Sequence, residues 1–183
     1  MKATEILEQE HALIQEVLNS LERGAQRLAA GEEVPADFFI DAAEFIRGFA
    51  DGAHHKKEEG VLFKAMGRHG FSPEAGPVAV MLAEHDEARR HTQGLAESAQ
   101  KLKGGDRGAG GDVSMYAMSY VRLLRQHIMK ESGILFQMAD SVIPRGEHAG
   151  IEAEFAQVER DQIGPAVHEK YQALARKLKG QMA

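Results

Sequence analysis

Two stretches decide the fold, HHKKEEGVLF at 54–63 and HIMKESGILF at 127–136. Both read His-x-x-Lys-Glu-x-Gly-[Val/Ile]-Leu-Phe. Upstream of each, a Glu-His pair repeats as Glu10-His11 and Glu84-His85. The chain thus reads as a duplicated helical hairpin, each copy carrying one lone histidine and one His-x-x-x-Glu pair. Residues four apart on a helix return to one face, so each pair points its side chains the same way. One such pair occurs by chance on many solvated faces; its repetition gives it weight.

Outward from these stretches, apolar residues recur at alternating steps of three and four, the mark of one helical face. The first run is Leu7, His11, Ile14, Leu18, Leu21, Ala25 and Leu28, with Thr4 as N-cap and Gly31 as stop. A second helix runs from about Pro35 to Met66. A third follows Val78, Met81, His85, Ala88, Thr92, Leu95, Ala99 and Leu102, entered through Gly76-Pro77, where proline suits the first helical position. GGDRGAGGD at 104–112 reads as a flexible loop. The fourth helix carries Val113, Ala117, Tyr120, Leu124, His127, Glu131, Ile134 and Met138 on its inner seam. Pro144-Arg145-Gly146 breaks the pattern, and a polar helical hairpin from about Glu147 to Gln181, interrupted at Gly164-Pro165, completes the chain. The expectation is an all-α protein: an up-down-up-down four-helix bundle over 1–143 and an extra C-terminal helical hairpin over 144–183, packed on or beside it.

Composition narrows the function. A length of 183 residues, 43% hydrophobic and 27% charged, suits an ordinary globular chain with a real core. A net charge of -6 with no basic tract argues against nucleic acid as a partner. No apolar run reaches the ~20 residues that span a bilayer, and MKATEILEQEH is too charged for a signal peptide, so no membrane and a cytoplasmic location are expected. The absence of cysteine removes disulfides, thiolate metal sites and thiol catalysis together. Any metal must be held by nitrogen and oxygen, and there are 9 histidines.

Histidine occupies the apolar seam of helix one (His11), three (His85) and four (His127). In helix two, His54 follows Ala43, Ile46 and Ala50 on their own face, whereas His55 follows Glu44 and Asp51. The repeat also pairs His54 with His127, so His54 is the inward choice. At ~1.5 Å per residue, His11 and His85 lie roughly 10–12 Å from the starts of their helices, and Glu58, His54, Glu131 and His127 lie roughly 12–18 Å from the ends of theirs. Antiparallel neighbours bring those ends together, so all six side chains meet in one layer. Burying four imidazoles and two carboxylates is costly without compensation, and metal supplies it. Two carboxylates can bridge two cations; two imidazoles per cation suit iron, and less specifically zinc, copper or nickel.

EHALI in helix one, HHKKEEGVLF in two, EHDEAR in three and HIMKESGILF in four resemble the hemerythrin, or HHE cation-binding, family over about residues 5–140. The resemblance implies a non-haem di-iron centre, two iron ions joined by an oxo or hydroxo bridge, that reacts with dioxygen. Carried over position by position, it implies His11, His54, Glu58, His85, His127 and Glu131 as ligands. Oxygen-carrying members have a second histidine one turn after the helix-three ligand, where this chain has Arg89. They also place an aspartate further along helix four, where this chain has Glu131 at the shorter spacing. A lost imidazole leaves coordination open, which suits reactivity better than reversible carriage. His55 can supply a replacement if helix two is locally distorted, and Glu159 or His168 of the final hairpin can fold over the site. Tyr120, two turns before His127, either donates a hydrogen bond to the ligand shell or packs.

The leading reading is a di-iron protein that binds, senses or reacts with a small oxidant (dioxygen, peroxide or nitric oxide), drawing on an electron-transfer partner. Alternatives are an oxidoreductase turning over peroxide or nitric oxide, and a non-catalytic metal-binding interaction module with the hairpin as contact surface. Ferritin-like bundles need two Glu-x-x-His motifs, and only Glu8–His11 has that spacing. His69, His91 and His148 are expected at the surface, Met66, Met81, Met115, Met118 and Met138 in the core, and Lys56 and Lys57 on the solvated back of helix two. Gly60 and Gly133, each costing ~1 kcal/mol inside a helix, are expected where helices approach closely.

Overall fold

A computed structural model describes residues 2–162 and 167–183, the side chains of 162 and 167 excepted. Among these residues there is no strand, and six helices carry the architecture. They are α1 (Ala3–Ala29), α2 (residues 36–68), α3 (Gly76–Lys103), α4 (residues 110–142), α5 (His148–Gln162) and α6 (Val167–Gln181). The hairpin break expected at Gly164-Pro165 lies outside the described residues.

Side-chain pairs along the helices fix their directions. Between α1 and α4, Thr4 bonds Asp140, Glu22 bonds Arg125 and Ala25 bonds Ser114. The partner's number falls as the first rises, so the helices are antiparallel. Glu10 with His54 and Gly24 with Phe38 show the same for α1 and α2. Asp37 with Lys103 and Asp51 with Arg89 do so for α2 and α3, and His85 with His127 and Gly94 with Tyr116 for α3 and α4. The four long helices therefore run up-down-up-down. Both α5 and α6 pack on α1 and α2. At Gly48 of α2 a Cβ would overlap the buried Tyr171 ring of α6, so this glycine is where the two helices meet closely.

The helix ends follow simple local rules. Lys2 rather than Thr4 is the N-cap of α1, and Thr4 instead donates to Asp140 at 2.8 Å from within the first turn. Gly31, at φ 82°, ends the run in the left-handed region that glycine tolerates. The glycine-rich stretch expected as a loop is half structured: Arg107–Ala109 forms a short 3-10 turn and α4 already begins at Gly110.

Three wide turns with i→i+5 bonding interrupt the long helices: Ile46–His55 and Glu58–Leu62 in α2, and Glu131–Leu135 in α4. A wide turn shifts the phase of everything after it. In α4 the expected seam residues Ile134 and Met138 are exposed, at 52% and 36%, while Leu135, Phe136 and Ala139 are buried in their place. Met115 is likewise exposed at 50%, outside the core expected for it. Gly52 fits the first wide turn, since a Cβ there would lie 2.8 Å from the Arg47 carbonyl oxygen five residues back. Gly60 and Gly133 have no neighbour within 4 Å of a built Cβ, so close helix approach does not account for them.

The apolar core divides into two clusters. One joins α1, α2, α3 and α4 with α6, from Ile14 and Phe38 to Tyr171 and Leu178. The other joins Leu7, Leu62, Met66, Val78 and Phe136 with Ile151 and Phe155. Between them lies a buried polar layer of histidines and glutamates.

Candidate metal centre

Seven side chains meet in that layer: His11 from α1; His54, His55 and Glu58 from α2; His85 from α3; His127 and Glu131 from α4. All are buried, Glu58, Glu131 and His85 at 0% exposure. Their ligand atoms form two overlapping groups, His11–His54–Glu58–Glu131 and His55–Glu58–His85–His127, each within 4.8 Å. The carboxylates span the two groups. Glu58 places one oxygen 3.3 Å from His54 Nε2 and the other 3.4 Å from His85 Nε2. Glu131 places one oxygen 3.2 Å from His11 Nε2 and the other 3.2 Å from His127 Nε2.

The six residues expected to converge are brought together, and His55 joins them. The choice of His54 over His55 rested on uniform α-helical spacing. The wide turn that ends at His55 breaks that spacing and buries both imidazoles. The His55 ring stacks on His85, centroids 3.9 Å apart. An imidazole thus stands on the neighbouring helix where Arg89 takes the place of one, the replacement expected if helix two is locally distorted.

Each imidazole turns its Nδ1 outward to a polar partner. These are Glu10 for His54 (2.9 Å), Glu84 for His127 (2.9 Å), Glu59 for His85 (2.7 Å), Ser132 for His11 (3.1 Å) and, more loosely, Asp51 for His55 (3.4 Å). An Nδ1–H donated to a carboxylate leaves the Nε2 lone pair facing inward, the tautomer that metal ligation needs. The carboxylates are in turn matched by cations. Lys57 bonds Glu10, Lys130 bonds Glu84, and Arg89 bonds Asp51 (2.8 Å) and Glu59 (2.6 Å). The duplication thus extends to the outer ring, with Glu10–His54–Lys57 repeated as Glu84–His127–Lys130.

Lys57 is not on a solvated back as expected; it is fully buried. Glu159 accepts a second bond from it at 2.6 Å, and His168 sits 3.0 Å from Glu159. Glu159 of α5 and His168 of α6 therefore stand outside Glu10 and do not enter the inner cluster. Tyr120 is buried, but its hydroxyl bonds no ligand imidazole and has no partner among the described residues. His148, expected at the surface, is buried and accepts from the Ala3 amide at 3.3 Å. Sequence reasoning missed the outer carboxylates, although Glu10 and Glu84 precede seam histidines in both halves.

Whether these residues fit a metal is tested by their unmet bonding. Among the described residues, Nε2 of His11, His54 and His55 and all four carboxylate oxygens of Glu58 and Glu131 are buried without a hydrogen-bond partner. Such atoms normally cost about 1–3 kcal/mol each, more when charged, so a cluster of them calls for a guest. His85 Nε2 and His127 Nε2 face each other at 3.0 Å, an arrangement a shared cation relieves. The donor set fits.

Charge balance in the metal-free protein falls on two imidazoles. Burial would lower His54, but Glu58 and Glu10 outweigh it and hold it up at about 10. Burial likewise works against His127, and Glu131 and Glu84 hold it up at about 9. Burial, reinforced by His85, pushes His55 well below the ordinary value. Burial would raise Glu131, yet His127 and His11 hold it well down. Both raised histidines exceed the 6.5 of an unfolded imidazole, so their stabilisation is complete below 6.5 and lost as pH rises through about 9 to 10. The depressed Glu131 contributes above the unfolded 4.5 and is lost on acidification below it. Thermal melts of metal-free protein are therefore expected to decline from pH 7 to 10, and those of metal-loaded protein to stay level. Metal loading at pH 7 is expected to release about two protons per chain, read by calorimetry in buffers of different ionisation enthalpy. A level metal-free profile, or no proton release, contradicts this balance.

Among the described residues, no helix is long and apolar enough to cross a membrane. An uncharacterized protein of Mycobacterium bovis and uncharacterized proteins of two Mycobacterium tuberculosis strains are each similar at 23% identity over 164 residues, 90% of this chain. The chain spans 64% of the length of each. No solved structure matches. The family model of the Hemerythrin HHE cation binding domain matches residues 2–139, the span that carries all seven converging side chains, and the chain belongs to that family.

Proposed function

We propose that the chain holds two iron ions and uses them to bind, sense or react with a small oxidant. One observation carries the reading: seven buried imidazole and carboxylate side chains from four helices converge, and five of them turn inward atoms that have no hydrogen-bond partner among the described residues. His11 and His54 would hold one ion, and His55, His85 and His127 the other. Glu58 and Glu131 would bridge them. An all-nitrogen-and-oxygen set with five imidazoles suits iron, and soft thiolate-seeking metals find no ligand here. A pair of iron ions supplies one-electron chemistry and a place for a small oxidant to bind.

The chain's own residues do the rest. The Nδ1 bonds to Glu10, Glu59 and Glu84 fix each ring's tautomer and plane. The apolar clusters above and below keep water out and strengthen the electrostatics between. The two halves differ, since two imidazoles would serve one position and three the other. Residues 1–143 would form the metal-holding unit, and 144–183 a hairpin that braces its α1–α2 side through Glu159 and Lys57.

Protein from iron-replete cells is expected to contain two irons per chain and to show oxo-to-iron absorption in the near ultraviolet. Fewer than one iron per chain, with no such absorption, overturns the reading. Turnover of peroxide or nitric oxide above that of free iron would make the protein an oxidoreductase; stoichiometric uptake alone would make it a binder or sensor.

A further inference from the structure

A cavity of about 170 Å3 opens between α2, α3 and α4, on the outer side of His55. His55 and Asp51 line its side toward the histidine cluster, Tyr120 and Thr92 line its buried part, and Arg47 and Arg89 stand at its exposed part. A water takes about 30 Å3 of liquid volume, so several small molecules fit.

Tyr120 is the unexplained group. Its side chain is 1% exposed and its hydroxyl has no hydrogen-bond partner among the described residues. A buried hydroxyl left unpaired costs about 1–3 kcal/mol, and phenylalanine would avoid that cost in a purely packing role. Burial, followed by the Asp51 charge, pushes the phenol above its ordinary value, so it keeps its proton and acts as a donor. Thr92 already donates to the Ala88 carbonyl at 2.8 Å, which leaves its oxygen free to accept. The two hydroxyls in the buried part of the lining therefore offer one donor and one acceptor.

Charge decides which molecule suits it. Arg89 is already committed to Asp51, Glu59 and Asp86. Arg47 has no partner among the described residues and is exposed. Asp51 offsets one of the two arginines and the other, Arg47, is exposed, so the buried part of the lining carries no charge that would select an anion. Dioxygen and nitric oxide need neither a donor nor an acceptor and favour dry apolar space. Hydrogen peroxide is uncharged, small, and both donates and accepts.

We propose that this cavity is a binding site for hydrogen peroxide, in which Tyr120 donates to one peroxide oxygen and holds the molecule beside the His55 face of the metal centre. The proposal rests on the metal reading above and narrows its oxidant to peroxide.

Crystals of zinc-loaded protein soaked in hydrogen peroxide test it, because zinc does not consume the probe. Two-atom density within a hydrogen bond of about 2.5–3.0 Å from the Tyr120 hydroxyl is expected in the wild type and absent in Tyr120→Phe. Water alone in the wild-type cavity, or peroxide unchanged in Tyr120→Phe, overturns the proposal. The metal-free Tyr120→Phe protein should melt within about 2 °C of wild type; a much larger fall would make the hydroxyl structural and overturn it too. With iron bound, Tyr120→Phe and Ala88→Leu should each slow the reaction with peroxide by about ten-fold or more, with oxidation by dioxygen unchanged. Equal slowing of both oxidants would assign the cavity to general access and sink the claim for peroxide. Zinc occupancy in the same crystals reads the metal centre separately. Peroxide in the cavity of a chain that holds neither zinc nor iron would sink the metal reading and leave the binding site standing.

Discussion

Replacing Glu58 by alanine is expected, on the two-ion proposal, to take the chain from two bound ions to none. Its two oxygens face His54 on one side and His85 on the other, so neither ion keeps its set when it is lost. Removing an outer partner of a metal-binding histidine costs about 10–100-fold in affinity. Loss of a ligand shared by both ions should weaken each by more than about 100-fold. Glu10→Gln, which touches only the His54 side, should weaken one ion and spare the other. Cobalt(II) titration followed in the visible separates the cases by stoichiometry. If Glu58→Ala held either ion at wild-type affinity, the shared-carboxylate geometry would be wrong.

Lys57→Met is expected to be the most destabilising change among the outer residues. Lys57 is fully buried and bonds both Glu10 and Glu159. Removing one partner of a buried ion pair costs about 3–5 kcal/mol, because the other charge stays behind. The lower end applies here, since a protonated His54 still faces Glu10 in the metal-free protein. About 3 kcal/mol corresponds to a fall of roughly 6–12 °C in melting temperature for a chain of this size. Lys130→Met is the matched control. It pairs with Glu84 at the repeated position but is 35% exposed, so under about 1 kcal/mol is expected. Equal falls in the two variants would show that burial of Lys57 does not set its contribution.

The two lysines also show what the amino-acid sequence could and could not tell. They occupy the same place in the repeated motif, and nothing in the motif distinguishes them. What covers one is α5, whose Glu159 reaches Lys57; the other half of the bundle has no such cover among the described residues at Lys130. The four helices, their order and the six converging residues were legible because periodicity and internal repetition are properties of the chain alone. His55, Ile134 and Met138 were misplaced for a common reason. Each was assigned to a face by constant α-helical spacing, and a wide turn changes that spacing by a residue. Gly52 is compatible with such a turn, but a single glycine within a helix does not announce one. The outer carboxylates escaped notice because a Glu-His dipeptide says nothing about which ring the glutamate will meet; Glu10 serves His54 across the bundle and not its neighbour His11.

The division of the core has a consequence for how the molecule comes apart. Two separate apolar clusters joined through a polar slab amount to two small cohesive units with a weak seam. Without ions, each end can exchange its amide hydrogens through its own partial opening, and the protection pattern should show two distinct levels. With ions in place the seam is clasped from all four helices, so amides at both ends should exchange together, through one opening event whose rarity follows the ion concentration.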